Sequence, residues 1–339
     1  MAKKSSFNLN SKHMITKFDD EISLKFGVGP ENRSFKDLLD KGCIVVDKDC
    51  GPTSHKTVEN IKHVLKIDKA GHSGTLDPQV SGVLVVGLGR ATRLMEYMLK
   101  SNKEYVCVMF VHKPVTNQEL EDVFEQFRGE IEQVPPIVSA VKRQARKRMI
   151  YELEIVEREQ DNQYILFRVK CQHGTYIRKL CTDIGLQLGV NAQMVELRRT
   201  KAGPKTENDS MISVDKLQSL MDLYQNSKEE QECQIFEQEL RKYILPMEHL
   251  LDDFKYVIVR DSAVNSVSNG SDLGVPGILQ VDERIELGEE IALMTGRGEL
   301  IAMGVAFMSG KDMVKKNKGA AIKTHKVFMD KGYYPKSWF

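Results

Sequence analysis

The apolar residues of this chain come in short bursts, and the length of those bursts is the strongest constraint on its fold. The runs CIVV (43–46), VLVVGL (83–88), YVCVMFV (105–111), YILF (164–167) and YVIV (256–259) are four to seven residues long. Runs of that length, bounded by turn-forming residues, mark buried strands. Between them lie apolar stripes at spacings of three and four, the period of an amphipathic helix. Val58, Ile61 and Leu65 make one, and Leu120, Phe124 and Phe127 a second; Ile177, Leu180, Cys181, Ile184 and Leu188 make a third. The two kinds of element do not alternate in strict βαβ order, so the expected class is α+β.

The run lengths also argue against a membrane span, because none approaches the roughly 20 apolar residues needed to cross a bilayer. At 339 residues the chain has room for two domains. Six cysteines are scattered without a CxxC pair or clustered histidines. That argues against a zinc site and fits reduced thiols in a cytosolic or nuclear setting. The N-terminal MAKKSSFNLNSK lacks the apolar middle of a secretory signal. With 49 basic against 48 acidic residues, total charge does not point to nucleic acid, and any basic character must be local.

Three segments are expected. Residues 1–41 are polar and are read as an N-terminal extension, an arm packing on the rest. Residues 42–250 hold most of the strands and stripes. They include helices capped by Thr53 or Ser54 and near Thr175, a helix near Thr92–Leu99, and a polar helical stretch from 205 with Leu217, Leu220, Met221 and Tyr224 on one face. Residues 255–332 are β-rich, with a short helix capped by Asp261 and stopped by Gly270, and a hairpin turning at Gly296–Gly298.

One carboxylate, Asp77, sits in the small polar loop AGHSGTLDPQVSG (70–82), directly before VLVVGL. Asp before Pro is an ordinary turn former. The surrounding Gly71, Gly74 and Gly82 would equally let the backbone approach a planar ligand. Arg178 falls in the first turn of a helix, the unfavourable end for a cation; there it either snorkels to water or takes an anionic partner. Tyr105 opens a strand, as an edge aromatic or as a platform for a flipped base. His72 lies five residues before Asp77, either solvated or in reach of nucleic acid. KRQARKR (142–148) is the densest basic run, a solvated face, a localisation signal or a phosphate contact; Arg198, Arg199 and Lys201 add to it.

Five motifs, taken in order, resemble the TruB-type pseudouridine synthases. They are VDKDCGPTSH (46–55), GHSGTLDP (71–78), KEYVCV (103–108), GTYIRKLCTDIG (174–185) and ELRRTKAGP (196–204). The segment with NGSDLGVPGIL resembles a PUA RNA-binding domain. KFGVGPENRSFKDLLDKG and PPIVSAVKRQARKRMIYELEI resemble the dyskerin branch, the catalytic subunit of H/ACA guide ribonucleoproteins. The spacing between FVH and the helix near Gln118 is too short for the insertion with which bacterial stand-alone enzymes grip tRNA, and the absence of a lysine-rich tail points to an archaeal-type protein. The chain departs from the family pattern at Asp49-Cys50, Ile137-Val138, His173 and GVNAQM (189–194).

The resemblance implies a mixed, largely antiparallel catalytic sheet followed by a PUA pseudobarrel. It implies Asp77 as the nucleophile or base that opens the uridine glycosidic bond, so that uracil rotates and rejoins through C5 with no cofactor or metal. Arg178 would pair with Asp77, Tyr105 would stack on the base and help remove the C5 proton, and Leu197 would line the pocket. RNA would be held by His72, Lys48, Lys142, Arg143, Arg146 and Arg148. In the PUA domain it would be held by Gly270, Ser271, Leu273, Pro276 and Gly277. The implied partners are an H/ACA guide RNA, rRNA or tRNA substrate and small ribonucleoprotein proteins, with no membrane; the setting is cytoplasmic if archaeal and nucleolar if eukaryotic. A stand-alone tRNA synthase and a non-catalytic RNA scaffold are the alternatives.

Overall fold

The computed structural model describes residues 13–135, 144–159 and 162–336. The chain divides into two compact units. One takes in Ile44–Gly87 and Leu94–Tyr243; the other comprises the chain up to Cys43, Leu88–Arg93 and everything from Ile244. In chain order the elements open with β1 (Met14–Thr16), α1 (Phe35–Lys41), β2 (Gly42–Lys48), α2 (Ser54–Leu65), β3 (Ala70–His72), β4 (Ser81–Leu88) and α3 (Met95–Leu99). Next come β5 (Lys103–Val111), α4 (Asn117–Gln126), β6 (Gly129–Gln133), β7 (Arg146–Arg158), β8 (Tyr164–Cys171), α5 (Ile177–Gln187) and β9 (Ala192–Ala202). They are followed by β10 (Lys205–Thr206), β11 (Met211–Ile212), α6 (Val214–Asn226), α7 (Glu230–Leu240) and β12 (Ile244–Pro246). The last are β13 (Tyr256–Val259), α8 (Asp261–Ser268), β14 (Leu273–Gly274), β15 (Ile278–Asp282), β16 (Glu290–Thr295), β17 (Leu300–Ala306), α9 (Gly310–Lys315) and β18 (Ala320–Val327).

The larger sheet runs β11-β2-β4-β9-β5-β8-β7-β6. Its β9-β5-β8-β7-β6 half is antiparallel throughout, whereas β4 meets β9 in parallel. β4 is buried from Gly82 to Leu88, which is why its sequence is a continuous apolar run. β8 alternates instead: Ile165, Phe167, Val169 and Cys171 join Cys107 and Met109 of β5 in one core. Ile177, Leu180, Cys181 and Ile184 of α5 close that core from one side, as the stripe requires. Helix starts follow local chemistry: Thr53 caps α2 through Lys56 N, and Thr116 and Glu119 form a capping box at α4.

One expectation is filled out and two need correction. The N-terminal segment is more than an arm, since it contains α1, capped by Ser34. Its β1 also extends the second sheet, pairing Thr16 with Gln280 of β15. The helix placed near Thr92–Leu99 is a 3-10 turn over Gly89–Leu94 followed by the short α3. Asp261 does not cap α8; Arg260 holds the cap position, and the Asp261 carboxylate instead accepts from Ser23 N at 2.9 Å. The second sheet runs β1-β15-β13-β16-β17-β18-β14, with the hairpin of β16 and β17 at its centre.

Candidate active site

Asp77 lies in the loop between β3 and β4. Arg178, the second residue of α5, donates from Nη2 to Asp77 Oδ2 at 2.7 Å. The Arg178 side chain is 56% exposed and that of Asp77 58%. Arg178 is therefore not the half-buried cation its apolar neighbours suggest; it reaches out of the helix to the loop. The start of α5 is fixed by a side chain rather than by a cap of its own. Gln133 of β6 accepts from Tyr176 N at 3.0 Å and donates to Tyr176 O at 3.2 Å. Thr175, the expected cap, donates to Gln172 O instead.

Two buried cations hold the loop by its carbonyl groups. Lys48 is 1% exposed, and its ammonium donates to the carbonyls of Asp49 and Val80 at 2.9 Å and of Asp77 and Pro78 at 3.3 Å. Burial pushes its pKa down. The expectation that Lys48 binds RNA is thereby corrected: its N–H groups are turned inward onto the loop, away from phosphate. Arg199 of β9, also 1% exposed, donates from Nε to Val83 O at 2.7 Å and from Nη2 to Gly74 O at 3.2 Å. It therefore spans the two ends of the Asp77 loop and is no part of a solvated basic patch. The close approach of β4 to β9 explains Gly82, whose φ is 102°. A Cβ there would stand 2.3 Å from Arg199 O.

Tyr105 is the direct cross-strand partner of Arg199, and Cys107 that of Leu197. Both Tyr105 and Leu197 are half-buried and pack against the core under α5. Burial pushes the Tyr105 phenol up, and the adjacent Arg199 guanidinium pulls it partly back. His72 is half-buried at the end of β3, and its Nδ1 accepts from Gly74 N at 3.3 Å. Burial, then the charges of Arg199 and His55, hold its pKa below the usual imidazole value. A second lysine nearby, Lys103, donates to Met98 O and Ser101 O, each at 2.7 Å. Burial, with Arg199 adding to it, lowers its pKa to about 7.

The basic run divides. Lys142 and Arg143 lie outside the described residues. Arg146 and Arg148 open β7, both half-buried, and Arg148 stands against Gly174 in the turn that leads to α5. Lys147 between them pairs with Glu130 across the strands at 2.7 Å. In the other unit Gly270, Ser271 and Pro276 are exposed. Leu273 is 1% exposed in the core, and a Cβ on Gly277 would meet its side chain at 2.7 Å. An RNA at this surface could touch the backbone of Leu273 but not its side chain, which corrects the expectation for that residue.

Family profiles match the whole course of this arrangement. The DKCLD (NUC011) domain matches residues 3–58, and the TruB family pseudouridylate synthase N-terminal domain matches 62–114 and 111–177. The tRNA pseudouridylate synthase B C-terminal domain matches 178–252, and the PUA domain 255–328. The "Probable tRNA pseudouridine synthase B" of Methanocaldococcus jannaschii is 44% identical over all of this chain and 98% of its own length. That of Thermococcus onnurineus is 45% identical over 94% of this chain and 92% of its own. Among solved structures, one titled "Crystal Structure of a Cbf5-Nop10-Gar1 Complex" is 42% identical, with a TM-score of 0.87 over 96% of this chain and 97% of that one. Another, "Structure of H/ACA RNP bound to a substrate RNA containing 2'-deoxyuridine", is 40% identical with a TM-score of 0.85, covering 96% and 97%. Fold and site together define an RNA-modifying isomerase joined to a PUA domain. The chain belongs to the TruB family of pseudouridine synthases, in its archaeal Cbf5-type form.

Proposed function

We propose that this enzyme isomerises uridine to pseudouridine in rRNA and tRNA as the catalytic subunit of an H/ACA guide ribonucleoprotein, and that it acts in the cytoplasm. Its segments would be the extension 1–41, the catalytic domain 42–250 and the PUA domain 255–332. The observation that carries the reading is the Asp77–Arg178 pair, an accessible carboxylate held at 2.7 Å by a guanidinium on a separate element. Arg178 holds and aims the Asp77 carboxylate, as a bidentate-capable cation does for a reacting carboxylate. Asp77 opens the glycosidic bond as nucleophile or base at the sugar. Tyr105 and Leu197 flank the released uracil, and His72, whose pKa burial lowers, borders the flipped nucleotide. Unstacking that nucleotide costs a few kcal/mol; Arg146, Arg148 and the backbone around Gly270–Gly277 supply RNA contacts to offset it.

The solved relatives' titles name an H/ACA RNP and complexes with Nop10 and Gar1, which supports the guided reading. A second reading, a guide-free tRNA synthase, is favoured by the name that the curated relatives carry. The test reconstitutes the full chain with guide RNA and small partner proteins and measures pseudouridine in a guide-matched RNA. Guide-dependent product is expected. Equal turnover without guide, confined to tRNA, would move the assignment to the second reading.

A further inference from the structure

Arg199 is, like Lys48 and Lys103, a buried cation of this site held on backbone carbonyls. It is buried, it bonds backbone carbonyls of Gly74 and Val83, and among the described residues no ion pair with a carboxylate engages it. A guanidinium has only donors to offer. Its cross-strand partner is Tyr105, and paired residues on antiparallel strands place their side chains side by side on one face. The phenol oxygen therefore accepts from the Arg199 side chain, and the Asp77 carboxylate is near enough to act on it electrostatically. The other groups around the phenol are Cys171 and Asp77. Around the guanidinium are Lys48, His72 and Lys103. Among these groups only the Arg199 guanidinium favours the phenol's anion, drawing it part of the way back against burial, Cys171 and Asp77.

We propose that Arg199 is a positioning residue that makes Tyr105 the base for C5: it stabilises the phenolate and ties that oxygen to the Asp77 loop. The inference rests on the site assignment given under Proposed function. After uracil has rejoined the sugar through C5, that carbon is tetrahedral and still carries its hydrogen. The phenolate oxygen takes the proton; the C5–H pair becomes the C5=C6 double bond, and the former C6=N1 pair moves to N1, which gains a proton from water. Tyr105 then returns its proton to water, so one proton has left C5, one has arrived at N1, and nothing is oxidised or reduced. A loop restraint alone would place Asp77 and leave this step untouched.

The test uses the full chain in single-turnover reactions on RNA carrying uridine or 5-deuterouridine at the target. In Arg199→Met the rate should fall by about 100-fold, within the usual range for loss of base catalysis, with KM nearly unchanged. The deuterium isotope effect should rise as C5 deprotonation becomes limiting, and the ascending, acidic limb of the pH–rate profile, where the phenol loses its proton, should move to higher pH. Arg199→Lys, which keeps the charge, covers the case in which Arg199→Met fails to fold. In that variant 3-fluorotyrosine at position 105, a more acidic phenol, should recover rate. An unchanged isotope effect in Arg199→Met, or no recovery with fluorotyrosine, overturns the inference. A normal isotope effect and rate in Tyr105→Phe would instead overturn the assignment of Tyr105 itself.

Discussion

Arg178 and Asp77 meet at 2.7 Å although 101 positions separate them in the chain, and they meet in water: each side chain is more than half exposed. An ion pair in that setting adds about 0–1 kcal/mol to stability. Under the proposed mechanism the pair therefore serves reactivity more than folding. Arg178→Ala should lower the isomerisation rate steeply while the melting temperature stays within a degree or two. Kinetics and thermal denaturation on one preparation decide it; an unchanged rate removes the pairing from the mechanism.

Asp77→Asn keeps the volume and exposure of the side chain and removes its charge. Pseudouridine formation should fall below detection, with RNA affinity within about 3-fold of the parent, since the contacts that set affinity are phosphate contacts made elsewhere. Pseudouridine measured by mass spectrometry in a matched RNA would count against Asp77 as the reacting carboxylate.

Much of this arrangement was legible in the residues. The apolar bursts became strands, the third helical stripe became the buried face of α5, and an arginine at the wrong end of that helix did find the loop acid. Most of what escaped shares one cause, the burial of cations on backbone carbonyls. Lys48 and Arg199 carry charges that in a linear sequence suggest solvent, and β9, with Arg198, Arg199 and Lys201, lacks the apolar signature of a central strand. It is nonetheless enclosed between β4 and β5. No local pattern announces that four carbonyls will converge on one ammonium, because they come from two separate loops. α1 escaped for a simpler reason: seven residues make barely two turns, too few for a periodicity to show.

Lys48 provides a direct check on that idea. Lys48→Met removes the donor and leaves the carbonyls of Asp49, Asp77, Pro78 and Val80 facing an apolar side chain. Unsatisfied buried acceptors cost about 1–3 kcal/mol each when left dry. We expect a loss of at least about 2 kcal/mol in urea denaturation, together with a large loss of rate through a loosened Asp77. Full rate and stability in the variant would show that the loop holds its shape without the clamp.

The second unit rests on a buried pair that the same logic makes vulnerable. Arg33 donates two hydrogen bonds of 2.7 Å to the Glu248 carboxylate, at 8% and 0% side-chain exposure, and Glu248 also accepts from Leu300 N at 2.9 Å. Removing one member of such a pair strands the other charge and typically costs 3–5 kcal/mol, about a third of a domain's stability. Arg33→Ala should therefore unfold this unit at lower urea while the catalytic unit's transition is unmoved. A single, unshifted transition would remove the pair from the account.

Lys103 gives a pH dependence with a definite sign. Its folded pKa is about 7, against an ordinary value of 10.5. Between those values the unfolded chain holds the proton and the folded chain releases it, so the unfolded state binds more protons and folding stability rises with pH. Above 10.5 both states are neutral and the rise ends; below 7 both are charged and the cost of burying the ammonium is carried in full. Lys48, shifted down for the same reason, adds in the same direction. Urea denaturation at several values from pH 6 to 10 should show the parent gaining stability relative to Lys103→Met, by an amount on the order of a few kcal/mol at the upper end. Parallel curves for the two proteins would mean that Lys103 keeps its proton on folding, held by the carbonyls of Met98 and Ser101.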